Sequence, residues 1–376
     1  MKKISTKILG LGLAVSLVAA SFVGCGAKDS SSFLIGGIGP LTGDAASYGT
    51  SVKQGAEIAI KEINDAGGVT VGGKKVNLKL EFMDDVNNPD NAKSAFNALM
   101  DKGMDALMGT VTSTPGLGIL ELTNKEGILT LTPSGSSAGL TEYDNTFRLC
   151  FTDPLQGITM ADFAKDAGYT KIAIIYNNSD DYSTGMMQAF VDQVAANGGE
   201  VVANESFVGG DIDFNTQLTA IKATDAQVIF VPSYYKEAAA ITTQAAALGM
   251  SLPFLGGDGW DGVIAQTVDP AVLEGAVFLT PFLATDEDPK VKAFVDKYNT
   301  AYKAIPDQFA ADGYDSIYVI AAAMEKAEST KSADLIAAMT QIQVDGLTGS
   351  MTFTEEGEPN KAANFVEIKG GQYTAK

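Results

Sequence analysis

The sequence predicts an α/β protein built of two doubly wound parallel-sheet lobes. Three observations carry that class. Short apolar runs alternate with amphipathic helical runs along the chain, the pattern of parallel strands covered by helices on both faces. The part that follows an N-terminal leader, about 350 residues, is more than one hydrophobic core usually organises. The first apolar run, Phe33–Ile38, ends in a glycine-punctuated turn that opens a helix. In open α/β sheets such a turn points free backbone N–H groups into the space where ligands bind.

Taken in order, the chain begins with a leader rather than with fold. Lys2, Lys3 and Lys7 form a positive region, and Ile8 to Val23 is a short apolar core. Phe22-Val23-Gly24-Cys25 then places small residues before a cysteine, as a bacterial lipoprotein signal requires. Residues 1–24 are therefore expected to be a signal peptide and Cys25 the lipidation site. Such signals usually carry Leu where this chain has Phe22, and an ordinary secretory signal or a short membrane anchor is the alternative. Residues 25–32 are small and polar, suiting a flexible tether.

The helix after Tyr48 buries Val52, Ala56, Ala59, Ile60 and Ile63 on one face and is stopped by Gly67-Gly68. Strand patterns follow at Val76–Phe82, Ala106–Gly109 and Leu129–Leu131, with helices over Pro89–Lys102 and Thr114–Glu126. A second series starts after about Phe151. Its strands are Lys171–Tyr176, Val201–Phe207, Val228–Val231, Pro253–Leu255 and Ala276–Thr280. Its helices are Met186–Asn197, Phe214–Ala223 and Tyr235–Leu248. No repeat is visible.

Composition excludes several functions. The formal charge of −20 becomes about −23 once the three leader lysines are removed, which argues against nucleic acid as a partner. Besides Cys25 the one cysteine is Cys150, so the mature chain cannot form an intrachain disulfide, and Cys150 reads as a small buried residue. Gly135-Ser136-Ser137-Ala138-Gly139 matches a hydrolase nucleophile elbow, yet a chain without histidine has no Ser-His-acid triad and no Cys/His metal cluster. Gly37 to Gly43 looks faintly like a dinucleotide loop, but its third glycine is late and Pro40 removes an N–H. The run Asp84 to Asp90 has calcium-like composition without an EF-hand's spacing, and reads as a loop and helix cap. Neither an enzyme nor a cofactor is expected. The single arginine, Arg148, makes phosphate-like and dicarboxylate ligands unfavourable, since those call for arginine forks.

Several strand ends lead into polar or aromatic loops. They carry Tyr48, then Thr110–Pro115 with Ser113, then Thr132–Ser136 with Ser134 and Ser136. Further on come Asn177–Tyr182, Pro232–Tyr235 with Tyr234, and Gly256–Trp260 with Asp258. Carboxyl ends of parallel strands share one edge, so these loops converge on one cleft. The first series offers hydroxyls and helix N-termini, which suit a carboxylate. The second offers tyrosines, Trp260 and Asp258, which suit an ammonium group and an apolar side chain. A zwitterionic amino acid fills both. Each residue also has a plainer use: Ser113 or Thr114 as a helix cap, Asp258 as a turn residue, Trp260 as core, Tyr176 and Tyr235 as packing.

The segment Ile38 to Val69, IGPLTGDAASYGTSVKQGAEIAIKEINDAGGV, closely resembles the opening of the branched-chain amino-acid-binding proteins, the extracytoplasmic solute receptors of ABC importers. The resemblance runs from Phe33 to the C-terminus. It implies the type I periplasmic binding fold, with a three-strand hinge and the ligand in the interlobe cleft. It implies crossings near Thr280–Phe282 and near Gly346, giving one lobe of residues 33–151 and 283–345 and another of 152–282 and 346–376. By the same resemblance Ser113 grips the α-carboxylate, while Ser134 and Ser136 contribute a backbone carbonyl and a hydroxyl. Asp258 takes the α-ammonium, and Tyr48, Tyr182 and Tyr234 form aromatic walls. Relatives often carry a disulfide near the second strand; this chain has none there. Asp258 stands where branched-chain receptors have Glu, one methylene longer, so with Trp260 nearby the identity of the amino acid stays open.

The expected protein is thus a monomeric receptor, lipid-anchored outside the membrane, for a neutral apolar amino acid, branched-chain or aromatic. Its closed form would dock on ABC permease subunits. The alternative is a sensor of the same fold for amides, urea or aromatic acids, signalling to a membrane receptor. One arginine against 25 lysines hints at an AT-rich genome, and a lipid tether suits a Gram-positive cell.

Overall fold

The computed structural model describes residues 32–376, which leaves the leader and Cys25 outside the described residues. The first lobe opens with β1 (Ser32–Gly39), α1 (Ala46–Asp65), β2 (Val69–Val71), β3 (Lys74–Asp84), α2 (Pro89–Asp101) and β4 (Ala106–Gly109). It continues with α3 (Ser113–Glu126), β5 (Thr130–Thr132) and β6 (Thr146–Arg148). These strands form a sheet of order β2-β3-β1-β4-β5-β6, parallel except where β2 turns back on β3. Local chemistry sets the element ends. Asn88 accepts the N–H groups of Asp90 and Asn91 with Pro89 in the first turn, so α2 starts there and buries Ala92, Ala95, Phe96 and Leu99 at helical spacing. Asp84 accepts the N–H groups of Leu41 and Val86, and Asp85 that of Asn87, so the calcium-like run serves as loop and cap.

The second lobe comprises α4 (Asp153–Asp166), β7 (Lys171–Asn177), α5 (Asp181–Ala196), β8 (Glu200–Phe207), α6 (Asn215–Lys222) and β9 (Val228–Val231). It continues with α7 (Tyr235–Ala247), β10 (Phe254–Gly256), the short α8 (Val263–Gln266) and β11 (Val277–Thr280). Asp180 accepts the N–H of Ser183 at 3.1 Å and starts α5 five residues before the apolar spacing that begins at Met186. Phe190 of α5 stacks on Phe230 of β9, centroids 3.9 Å apart, inside a core with Ile172, Ile174 and Leu255. Each such fully buried aromatic contributes about 1.5–3 kcal/mol of apolar transfer.

After β11 the chain returns to the first lobe as α9 (Pro289–Tyr302), α10 (Gln308–Ala327) and α11 (Ser332–Met339). Helices α1 and α10 touch backbone to backbone. A Cβ built on Gly55 would lie 1.8 Å from the Ala310 carbonyl oxygen, and one on Gly313 2.1 Å from that of Val52. The hairpin β12 (Val344–Gly346) and β13 (Gly349–Met351) follows, then β14 (Asn364–Lys369) and β15 (Gln372–Ala375). The last two strands complete a second sheet of order β15-β14-β11-β10-β9-β7-β8, with β14 antiparallel to β11.

The final crossing comes later than the expected Gly346. The buried Asp315 of α10 accepts the N–H groups of Leu347 and Thr348, Phe353 meets Phe147 edge-on at 6.0 Å, and Gly357 accepts the N–H of Arg148. These bonds keep the chain on the first lobe through Glu358, and it enters the second sheet at Asn364. Three stretches therefore join the lobes: after β6, after β11 and before β14.

Candidate functional site

The carboxyl ends of β4, β5, β9 and β10 and the N-termini of α3, α5 and α10 enclose a small cavity between the lobes. From the first lobe, Tyr48, Ser113, Ser134 and Ser136 line it, with Val111, Thr112 and Phe309; from the second, Tyr182, Tyr234, Asp258 and Gly259. Seven of the eight site residues expected from sequence are brought together.

Trp260 is the exception. Its ring is fully buried in the core of the second lobe, and its indole N–H donates to the Val231 carbonyl at 2.8 Å. Gly256 makes the room, since a Cβ there would lie 2.3 Å from the indole nitrogen. The tight turn over residues 258–260 sends Asp258 to the cavity and Trp260 behind it, so Trp260 does not line the cleft.

On the first-lobe side, Ser113 is the first residue of α3, where unpaired N–H groups and the helix dipole favour negative charge. Its hydroxyl oxygen accepts the N–H groups of Ser136 at 3.2 Å and Ser137 at 3.1 Å. Both lone pairs are then used, and its proton is left for an acceptor in the cavity. The Ser134 hydroxyl, by contrast, is spent on the Val111 carbonyl at 2.6 Å.

On the second-lobe side, the backbone N–H of Asp258 donates to Gln156 at 2.8 Å, and its carboxylate takes the Tyr182 hydroxyl. Burial pushes the Asp258 carboxyl up to about 6, against that hydrogen bond. Behind it Asp153 is fully buried. Burial raises its carboxyl well above the usual range, the Ser136 hydroxyl opposes the rise, and Asp258 adds repulsion. Asp180 is likewise pushed up by burial to about 6. This end of the cavity is matched to a cation.

The remaining wall is aromatic. Tyr182 stacks on Tyr234 with centroids 5.1 Å apart, Tyr48 meets Tyr234 edge-on at 5.3 Å, and Phe309 lies 4.1 Å from Tyr48. Their hydroxyls are occupied. Tyr182 accepts the Gly259 N–H at 2.9 Å; Tyr48 donates to the Gly259 carbonyl and accepts the Tyr235 N–H at 3.0 Å. Tyr48 thereby joins the lobes, as do Thr114 with Asp181 at 2.8 Å, Asp44 with Lys236 at 3.0 Å, and the Gln308 N–H with Asp261 at 2.9 Å. The cleft is closed.

Sequence reasoning missed Phe309, Val111, Thr112, Asp153 and Gln156. Phe309 lies far downstream and reaches Tyr48 through the α1–α10 packing; the helix cap Asp307 was the available signal. Among the described residues, no group of three or more acidic or cysteine side chains is arranged to hold a metal ion.

The pattern of a family described as "Periplasmic binding protein" matches residues 33–372. The Leu/Ile/Val-binding protein homolog 3 of Brucella melitensis is 31% identical over 93% of this chain and 95% of its own length. Among solved structures, the branched-chain amino acid transporter substrate binding protein LivJ from Streptococcus pneumoniae in complex with isoleucine superposes with a TM-score of 0.84. It is 30% identical and covers 92% of this chain and 98% of that one. A solute binding protein of an ABC transporter from R. palustris in complex with benzoate has a TM-score of 0.82, covering 92% of this chain and 95% of its own; at 23% identity it shows the fold alone.

Proposed function

This chain belongs to the periplasmic binding protein family, and on that premise we propose that it is the substrate-binding lipoprotein of an ABC importer for a neutral, apolar α-amino acid. One observation carries the ligand class: the distribution of unspent polar groups around the cavity. The Ser113 proton and the Asp258 carboxylate face it from opposite lobes, while the hydroxyls of Tyr48 and Ser134 are committed to the protein backbone and that of Tyr182 to the Gly259 N–H and the Asp258 carboxylate, which keeps acceptor capacity to spare. A carboxylate and an ammonium group would meet the first two, and an apolar side chain would rest on Tyr48, Phe309 and Val111. The relatives named for Leu/Ile/Val and branched-chain amino acids agree with that choice.

Ligand bridging the lobes would shift a hinge equilibrium toward the closed form, which docks on the permease. Cys25 would tether the receptor to the outer face of the cell membrane. A thermal-shift panel of the amino acids, urea, short amides and aromatic acids tests the reading, since a ligand that binds only the folded state raises the melting point. Leucine, isoleucine, valine or an aromatic amino acid should give the largest rise. A rise with urea, amides or aromatic acids alone would replace it with the sensor reading.

A further inference from the structure

The chain's single arginine is buried completely at the end of β6, and each of its three nitrogens donates a hydrogen bond. One terminal nitrogen donates to the Gly135 carbonyl at 2.9 Å, the other to the Ser137 carbonyl at 2.8 Å. Nε and the second terminal nitrogen pair with Glu358 at 3.0 and 3.1 Å, and Glu358 also accepts the Thr141 hydroxyl at 2.7 Å. The two carbonyls flank Ser136, whose own N–H is held by Ser113. The loop is thus gripped by its carbonyls from one side and by its amides from the other.

We propose that Arg148 is a positioning residue for ligand capture: it clamps Gly135 and Ser137 so that Ser136 faces the cavity in register with Ser113. The planar fork is what the task requires. Two carbonyls and a carboxylate lie in fixed directions, which a guanidinium meets and a lysine ammonium does not. The other ion pairs among the described residues are lysine pairs whose lysine is at least one-third exposed. The one guanidinium, itself buried, is kept for the pair that braces the serine loop. Glu358 lies on the last stretch before the crossing to β14, so the same clamp fixes where that stretch leaves the first lobe.

The inference rests on the amino-acid reading of this cavity, and the test separates the two. In the full-length protein, Arg148→Lys should weaken L-leucine binding by about 10- to 100-fold, the scale of a misplaced contact. In a Ser136→Ala background most of that loss should vanish, because both changes disable one element. Equal losses in both backgrounds, or a loss under about twofold, would overturn the clamp. Glu358→Gln, at a half-exposed partner, carries the same cycle if Arg148→Lys fails to fold. Hydrogen exchange of the ligand-free protein decides without ligand. Exchange at the Ser136 and Ser137 amides about tenfold faster than in the unsubstituted protein supports the clamp, and unchanged exchange overturns it. Should the unsubstituted protein take up no leucine while those amides lose protection, the leucine reading falls and the clamp stands.

Discussion

The hydroxyl oxygen of Ser113 accepts the backbone N–H of Ser136 at 3.2 Å and that of Ser137 at 3.1 Å, and among the described residues it donates to no acceptor. Ser113→Ala removes that donor and leaves two buried N–H groups unpaired. Amino-acid affinity should fall by about 1.5–3 kcal/mol, the worth of a hydrogen bond to a charged group. Calorimetry reads the loss; an affinity unchanged within error would show that the carboxylate lies elsewhere.

Asp258→Asn should weaken amino-acid binding by about 2–5 kcal/mol, because a buried ammonium loses its counter-charge. The native protein should show the same dependence through pH. Burial holds the Asp258 carboxyl at about 6, so below that pH binding must first expel a proton. Affinity should then fall as pH drops through 6 toward 5. A flat affinity across that range, or an Asn variant that binds normally, removes Asp258 from the role.

Stability of the ligand-free protein should run the opposite way. Burial lifts Asp85 and Glu237 to about 7, above their unfolded values of 3.8 and 4.5. Between pH 4.5 and 7 the unfolded chain has released protons that the folded chain retains, so stability declines as pH rises. Asp162, lowered by hydrogen bonds from Asn197 and Gln193, acts only at lower pH. Melting temperature should be higher at pH 5 than at pH 7.5; the reverse order would mean these carboxyls titrate normally.

At the α1–α10 crossing, Gly55→Ala or Gly313→Ala drives a methyl against a carbonyl that cannot retreat without moving a helix. Overpacking of this kind costs about 1–3 kcal/mol or more. Denaturant unfolding should show it for both variants. A neutral result at both would mean that the helices separate freely.

Cys25→Ser should release the protein from membranes while leaving ligand affinity intact. Fractionation that still finds the variant in the membrane pellet would defeat the lipoprotein reading.

Much of this architecture was legible because short buried strands announce themselves. Ala106–Gly109 and Val228–Val231 are strands at their expected bounds, and α3 begins one residue before the expected Thr114. The polar loops at strand ends converge as the parallel topology requires, which is why Ser113, Ser136 and Asp258 meet. What stayed hidden depends on contacts between distant parts of the chain. Periodicity says nothing about which way a three-residue turn throws Trp260, which is decided by the space above Gly256. Phe309 enters the cavity through a glycine-mediated helix crossing, and the late return to the second sheet is fixed by Asp315 and Arg148 bonding to backbone far along the chain. None of these has a local signature.

The backbone of Gly259 is held from two sides, its N–H by Tyr182 within one lobe and its carbonyl by Tyr48 across the cleft. When the lobes part, the N–H keeps its partner while the carbonyl and the Tyr235 amide lose theirs. Water must take those places, so escape of a trapped solute is coupled to rehydration of two backbone groups. Dwell time should then depend on how readily solvent invades at Tyr48, and Tyr48→Phe should shorten it even though the hydroxyl it removes is spent on backbone groups.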